Sequence, residues 1–199
     1  MKSKKTLLIL VLVFVLLIAG ASVLYNSLSQ SVQTDQLAVQ ETQAPPTEPQ
    51  ADETEATEPV LIQAPDFTVY DAEGNAVKLS DFFGKPIVVN FWASWCGPCK
   101  MEMPDFNEKY LEIGEDVTFL MINLTDGSRE TVEIASSFIA QEGYVFPVFY
   151  DTDSSAAMTY SVYSIPTTFF IDAEGHAIAQ ATGAIDGDTL QRGIDMICP

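Results

Sequence analysis

Two continuous apolar runs constrain the fold more than any other feature: Ile87–Trp92, "IVVNFW", and residues 117–123, "VTFLMIN". Their β-branched and aromatic residues follow one another without polar alternation, so both read as strands buried within a sheet. Helical patterns lie between and after them. Residues 98–113 read as a helix, and Pro104 inside it predicts a kink, because a mid-helix proline removes a hydrogen bond. Residues 128–141 read as an amphipathic helix with Ser128 as N-cap and Gly143 as terminator. Turn chemistry at "DAEGN" and "DAEGH" predicts two hairpins, one joining residues 67–70 to Ala76–Lys78 and one joining Thr167–Ile171 to residues 177–181. A short segment at Val148–Tyr150, a helix at 154–160 and a closing helix at 188–197 complete the reading. This order implies an α/β sandwich around a central mixed sheet.

Upstream of residue 60 the chain is built differently. Lys2, Lys4 and Lys5 precede residues 7–25, a run of 19 positions without a charge, about the length that crosses a hydrocarbon core of roughly 30 Å as a helix. The basic flank stays cytoplasmic by the positive-inside rule, which sends everything downstream across the membrane. Residues 1–25 therefore read as an uncleaved single-pass anchor in the cell membrane. Ala19-Gly20-Ala21 also fits a cleavage pattern, so secretion after cutting near Ala21 is the alternative. Residues 26–59 are rich in Gln, Thr, Pro and Glu, with seven acidic and no basic residues. Such a segment buries too little apolar area to offset the entropy of ordering it. It reads as a disordered tether that holds the domain, residues 60–199, on the order of 30 to 35 Å from the membrane on its extracytoplasmic side. The formal net charge of -19, from 28 acidic and 9 basic residues, argues against nucleic acid as a partner.

The stretch "NFWASWCGPCK" places Cys96 where a strand gives way to a helix. A sulfur there meets unpaired backbone N–H groups and the positive end of the helix dipole, which favour the thiolate. Cys99 lies one turn further inside. In an exchange reaction Cys96 attacks and Cys99 resolves the mixed disulfide. Competing readings are half of a zinc site or a permanent staple. The zinc reading has only His176 and Cys198 to complete it, and they form no second close pair. A staple across so short a loop restricts the unfolded chain little. A c-type haem would need His after the second cysteine, where Lys100 stands. Lys100 reads as covering the helix surface, His176 as a solvated turn residue without a partner, and Cys198 as a spectator thiol or an intermolecular disulfide.

"FWASWCGPCK", Pro104 five residues after Cys99, and "SIPTTFFID" downstream together resemble the thioredoxin superfamily. The preceding "APDFTVYDAEGNAVKLSDFFGKPIVVNFWASWCGPC", the long insert before "YSIPT" and the N-terminal apolar run are similar to its membrane-tethered TlpA/ResA branch. The resemblance implies a thioredoxin-like fold: a central mixed β-sheet flanked by helices, with an N-terminal β-hairpin extension and a central insert. It implies a cis Ile165–Pro166 bond facing the cysteines, with the Ile165 backbone available to an extended substrate. Trp95, Gly97 and Pro98 complete the substrate-facing rim, and Trp92 packs beneath. Where thioredoxins keep a buried Asp as proton acceptor, this chain has Asn90, and an amide cannot take a proton. The branch instead resembles this chain at Glu102, three residues beyond Cys99 on the same helix face. Partial burial there would raise its pKa into the range of a general base.

The Gly-Pro dipeptide between the cysteines matches thioredoxin, whose potential of about -270 mV is reducing, whereas DsbA-type oxidants sit near -120 mV. The expectation is a reductase of disulfides in exported proteins, apocytochrome c among them. It would need no cofactor beyond the Cys96–Cys99 couple and would draw electrons from a CcdA/DsbD-type membrane protein. A disulfide-forming oxidase and a thiol peroxidase are the alternatives of the same class. The peroxidase lacks the Thr and Pro expected just before its cysteine, since Ala93, Ser94 and Trp95 occupy that stretch. A non-catalytic binding module or zinc protein is the alternative of another class.

Overall fold

All six residues of Ile87–Trp92 are buried, as their sequence requires, because this strand has neighbours on both edges and packing on both faces. The computed structural model describes residues 37–39 and 61–198; the run at 7–25 and most of 26–59 lie outside them. The strands are β1 (Leu37–Val39), β2 (Ile62–Gln63), β3 (Thr68–Tyr70), β4 (Ala76–Lys78), β5 (Ile87–Trp92), β6 (Thr118–Asn123), β7 (Val148–Tyr150), β8 (Thr167–Ile171) and β9 (His176–Thr182). The helices are α1 (Gly97–Ile113), α2 (Val132–Glu142), α3 (Ser155–Thr159) and α4 (Gly187–Ile197), with a short 3-10 turn at Leu79–Phe82. One mixed sheet runs in the order β1-β9-β8-β5-β6-β7-β3-β4, and β2 also pairs with β9. At its centre β5 is parallel to β6 and antiparallel to β8, in a register that sets Asn90 opposite Thr168. The N-terminal hairpin β3–β4 joins the far edge through Tyr70 and Tyr150. The insert between β6 and β8 supplies α2, β7 and α3.

Successive strand residues face opposite sides of a sheet. Val88 and Trp92 therefore meet Met103 and Phe106 of α1 and Leu190 and Ile194 of α4. Ile87, Val89 and Phe91 meet Phe67, Leu79 and Tyr160 on the other side. Each such side chain contributes about 1.5–3 kcal/mol on burial. Asn90 sits between Val88 and Trp92 in this alternation and so projects toward α1. Helix α4 comes close enough to the sheet that a Cβ on Gly193 would collide with the Phe170 ring.

Three expectations are corrected. Helix α2 begins at Val132, four residues later than read, and Thr131 rather than Ser128 is its N-cap. Asp126 Oδ1 accepts the backbone N–H groups of Ser128, Arg129 and Glu130 at 2.7, 2.7 and 3.0 Å, so those donors serve a turn instead of a helix. Leu37–Val39, inside the segment read as structureless, forms β1 antiparallel to β9. This Leu-Ala-Val triplet satisfies an edge whose N–H and C=O groups would otherwise lack partners. His176 opens β9 and is not a free turn residue: its N–H donates to Asp172 Oδ1 at 2.7 Å, and its Nδ1 lies 2.9 Å from Asp172 Oδ2. Helix α1 continues through Pro104 without interruption.

Candidate active site

Strand β5 delivers the chain to the sheet's end, three residues turn it, and α1 starts at once. Cys96 is the N-cap of α1 in extended conformation, with Gly97 and Pro98 filling the first two helical positions. A proline there costs nothing, because its missing N–H has no helical partner anyway. The orphan donor of Cys99 is used instead: its N–H points at Cys96 Sγ, 3.2 Å away. An N–H at that distance favours negative charge on the sulfur once the pair is reduced. Cys96 and Cys99 form a disulfide with their Cα atoms 5.3 Å apart. Cys99 is fully buried, whereas Cys96 keeps 5% of its surface. An incoming sulfur therefore reaches Cys96 first.

The Ile165–Pro166 bond is cis, as the resemblance implies. Ile165 carbonyl oxygen lies 3.6 Å from Cys96 Sγ, and the loop is tied down by Thr167 Oγ1 donating to Ser164 O and by Gly183 N–H donating to Pro166 O. Around this point Trp95, Gly97 and Pro98 are exposed. Tyr163, two residues before Ile165, is 94% exposed and lines an open groove with Leu124, Met158 and Val162. Trp92 is wholly buried with its ring 5.9 Å from that of Phe138, so it is a core residue beneath the site. Lys100 places its ammonium 5.3 Å from the Phe138 ring.

Glu102 is buried more deeply than the sequence suggested, at 1% exposure. Its Oε1 accepts from Asn90 Nδ2 at 2.8 Å and its Oε2 from the Ile185 N–H at 3.0 Å. Burial outweighs both donors and pushes its pKa up to about 7, with Asp105 adding a smaller push in the same direction. A group that changes protonation near neutrality thus sits one helical turn beyond Cys99. Asn90, which cannot itself take a proton, joins Glu102 to Thr168 across the β5–β8 pair through a second donor bond of 3.0 Å.

A second buried acid had no signal in the sequence. Glu130, fully buried, reaches the loop before the first cysteine: Oε1 accepts the Ser94 N–H at 2.8 Å and Asn123 Nδ2 at 2.7 Å, and Oε2 accepts the Ser94 hydroxyl at 2.6 Å. Its neighbour Arg129 stacks on Trp95, Cζ lying 3.8 Å from the ring centroid. The helix expected over 128–141 includes Glu130, whereas in the structure Glu130 precedes the Thr131 cap. Cys198, at the end of α4, is unpaired and half-buried; burial first, then Asp195 and Asp116, hold its thiol above the usual range, which disfavours the thiolate. Among the described residues no three His, Cys, Asp or Glu side chains converge on a point that could hold a metal.

Residues 60–179 match the AhpC/TSA family. The thiol-disulfide oxidoreductase ResA of Bacillus anthracis is 36% identical over 140 residues, which cover 69% of this chain and 78% of ResA. Among solved structures, a Chlorobium tepidum chain assigned as thiol:disulfide interchange protein DsbE superposes with a TM-score of 0.60 at 33% identity, covering 67% of this chain and 94% of that one. StoA of Bacillus subtilis superposes with a TM-score of 0.57 at 25% identity, covering 65% and 96%.

Proposed function

The chain belongs to the AhpC/TSA family as a thiol-disulfide oxidoreductase of thioredoxin-like fold, and from that footing we propose that it is a membrane-tethered, extracytoplasmic reductase of disulfides in exported proteins. The observation that carries the reading is the Cys96–Cys99 disulfide at the mouth of α1, with Cys96 alone reaching the surface. In the reduced protein, the Cys96 thiolate attacks a client disulfide. One client sulfur leaves as a thiolate and takes up a proton, while Cys96 forms a mixed disulfide with the other. Glu102, as carboxylate, accepts the Cys99 proton, and the Cys99 thiolate attacks the Cys96 sulfur. The Cys96–Cys99 bond forms, the second client thiol departs, and two electrons have passed to the client. Ile165 offers its backbone to an extended client segment beside Cys96, and Trp95, Gly97 and Pro98 form the rim it crosses.

Three features support the direction and place of the reaction. The Gly97-Pro98 dipeptide is that of a reducing couple. The apolar run at 7–25 with its basic flank would serve as an anchor, and the residues between it and β1, which joins the sheet at Leu37, as a tether that lets a CcdA/DsbD-type donor in the same membrane reach the site. Apocytochrome c cysteines awaiting haem are the client class that the ResA resemblance suggests. Equilibration of the protein with thiol buffers tests the proposal. A midpoint potential near -270 mV supports the reductase, and one near -120 mV makes the protein an oxidase.

A further inference from the structure

We propose that Arg129 and Glu130 act together as a brace that fixes the Ser94–Trp95 loop, so that the client-facing rim beside Cys96 stands preformed before a client arrives. The inference rests on the proposed exchange reaction, and neither residue touches the reacting sulfurs; both are positioning residues. Just ahead of the Thr131 cap, Glu130 turns into the protein and Arg129 out of it. The inner residue takes both donors of Ser94, its N–H and its hydroxyl, and ties them to Asn123 at the end of β6. The outer residue lays its guanidinium on the exposed indole of Trp95, which stands directly before Cys96.

The brace is itself held. Asp126 gathers the N–H groups of Ser128, Arg129 and Glu130, Gly127 at φ 74° donates its N–H back to the Glu130 carbonyl, and α2 starts immediately after. Every link from the β6 terminus to the cysteine loop is therefore a hydrogen bond or a stacked contact. An indole free to rotate would have to be ordered when a client docks, and ordering it beforehand lowers that entropic cost. The consequence is selective. A polypeptide client lies across Trp95 and feels the brace, whereas a small disulfide meets little more than the Cys96 sulfur.

The test is made on the reduced full-length chain, following its oxidation by insulin and by oxidised glutathione and reading the ratio of the two second-order rate constants. Arg129 is exposed, so Arg129→Ala keeps the fold. It should lower the insulin-to-glutathione ratio by about two- to fivefold, the order expected for an exposed cation–π contact, and speed the tryptophan fluorescence anisotropy decay. Arg129→Lys, which keeps the charge but loses the flat stacking surface, should leave the ratio low. Glu130→Gln, which weakens the hold on Ser94, should likewise lower the insulin-to-glutathione ratio, and an unchanged ratio would remove Glu130 from the brace. A wild-type ratio and anisotropy in Arg129→Ala, or full recovery of the ratio in Arg129→Lys, would overturn the brace. If the unsubstituted chain exchanged with neither oxidant, the proposed function would fail, and the anisotropy of Arg129→Ala would still decide whether Trp95 is held.

Discussion

Glu102 and Glu130 are both sealed from water close to the redox pair, yet they are held in different ways. Glu102 accepts one donor on each oxygen, from Asn90 and Ile185, and burial prevails, lifting its pKa to about 7. Glu130 accepts three donors, two of them from the cysteine loop itself. The first arrangement makes a group that can take and return a proton during exchange. The second makes a fastener, whose removal leaves the Ser94 N–H and the buried Asn123 amide without their acceptor. Burial alone therefore does not assign a role to an acid; the identity of the donors that meet it does.

The sharpest way to break this contrast is to remove the fastener. Glu130→Ala leaves the Ser94 N–H and the Asn123 amide unsatisfied, and a loss of about 3–5 kcal/mol in urea unfolding is expected. A loss below about 1 kcal/mol would mean that Glu130 holds nothing.

The proton carrier is tested by pH. Because the folded pKa of Glu102 is raised from 4.5 to about 7, the folded state holds its proton more tightly than the unfolded chain. Its stabilising contribution is complete below pH 4.5 and is lost as pH rises through 7. Relative to Glu102→Gln, which does not titrate, the native chain should lose on the order of 3 kcal/mol between pH 4 and pH 8. The same variant should slow exchange and flatten its pH–rate profile near neutrality. A parallel pair of stability curves would remove Glu102 from the proton economy.

Asn90→Leu sharpens the contrast by deleting one of the two donors at Glu102. Since that bond lowers the pKa, its loss should move the pH–rate midpoint upward by about one unit, or ~1.4 kcal/mol. A downward shift would contradict the assigned donor. The smallest effect is expected at Thr131→Ala, which removes the cap of α2 next to Glu130. A cost of about 1 kcal/mol by thermal unfolding, with the insulin-to-glutathione ratio unchanged, would show that the brace does not depend on the helix it precedes.

Residues that report local pattern were legible. Ile87–Trp92 and Thr167–Ile171 were read to the residue because strand burial is written as apolar continuity, and Cys96 and Cys99 because a strand-to-helix junction fixes where a sulfur lies. Glu102 was found through family resemblance, and its depth only through the structure. Glu130 was misplaced, since the periodicity that suggests a helix over 128–141 contains nothing of the Asp126 turn that delays its start. His176 was misread for the same reason: its partner Asp172 is a neighbour only once the hairpin closes. The Leu37–Val39 strand escaped because three residues in a polar tether carry no period, and only the open edge of β9 gives them a place.

By itself the sequence determined the alternation of buried strands and helices and the chemistry of two thiols at a helix start. Those are properties of neighbours along the chain, governed by side-chain period and backbone geometry. Only the tertiary structure decided which acids meet which donors: Glu102 with the Ile185 N–H 83 residues away, and Glu130 with Ser94 across 36. Desolvation and hydrogen bonding act through space, so the proton affinity of one carboxyl and the holding role of the other exist only after the sheet and its helices have closed around them.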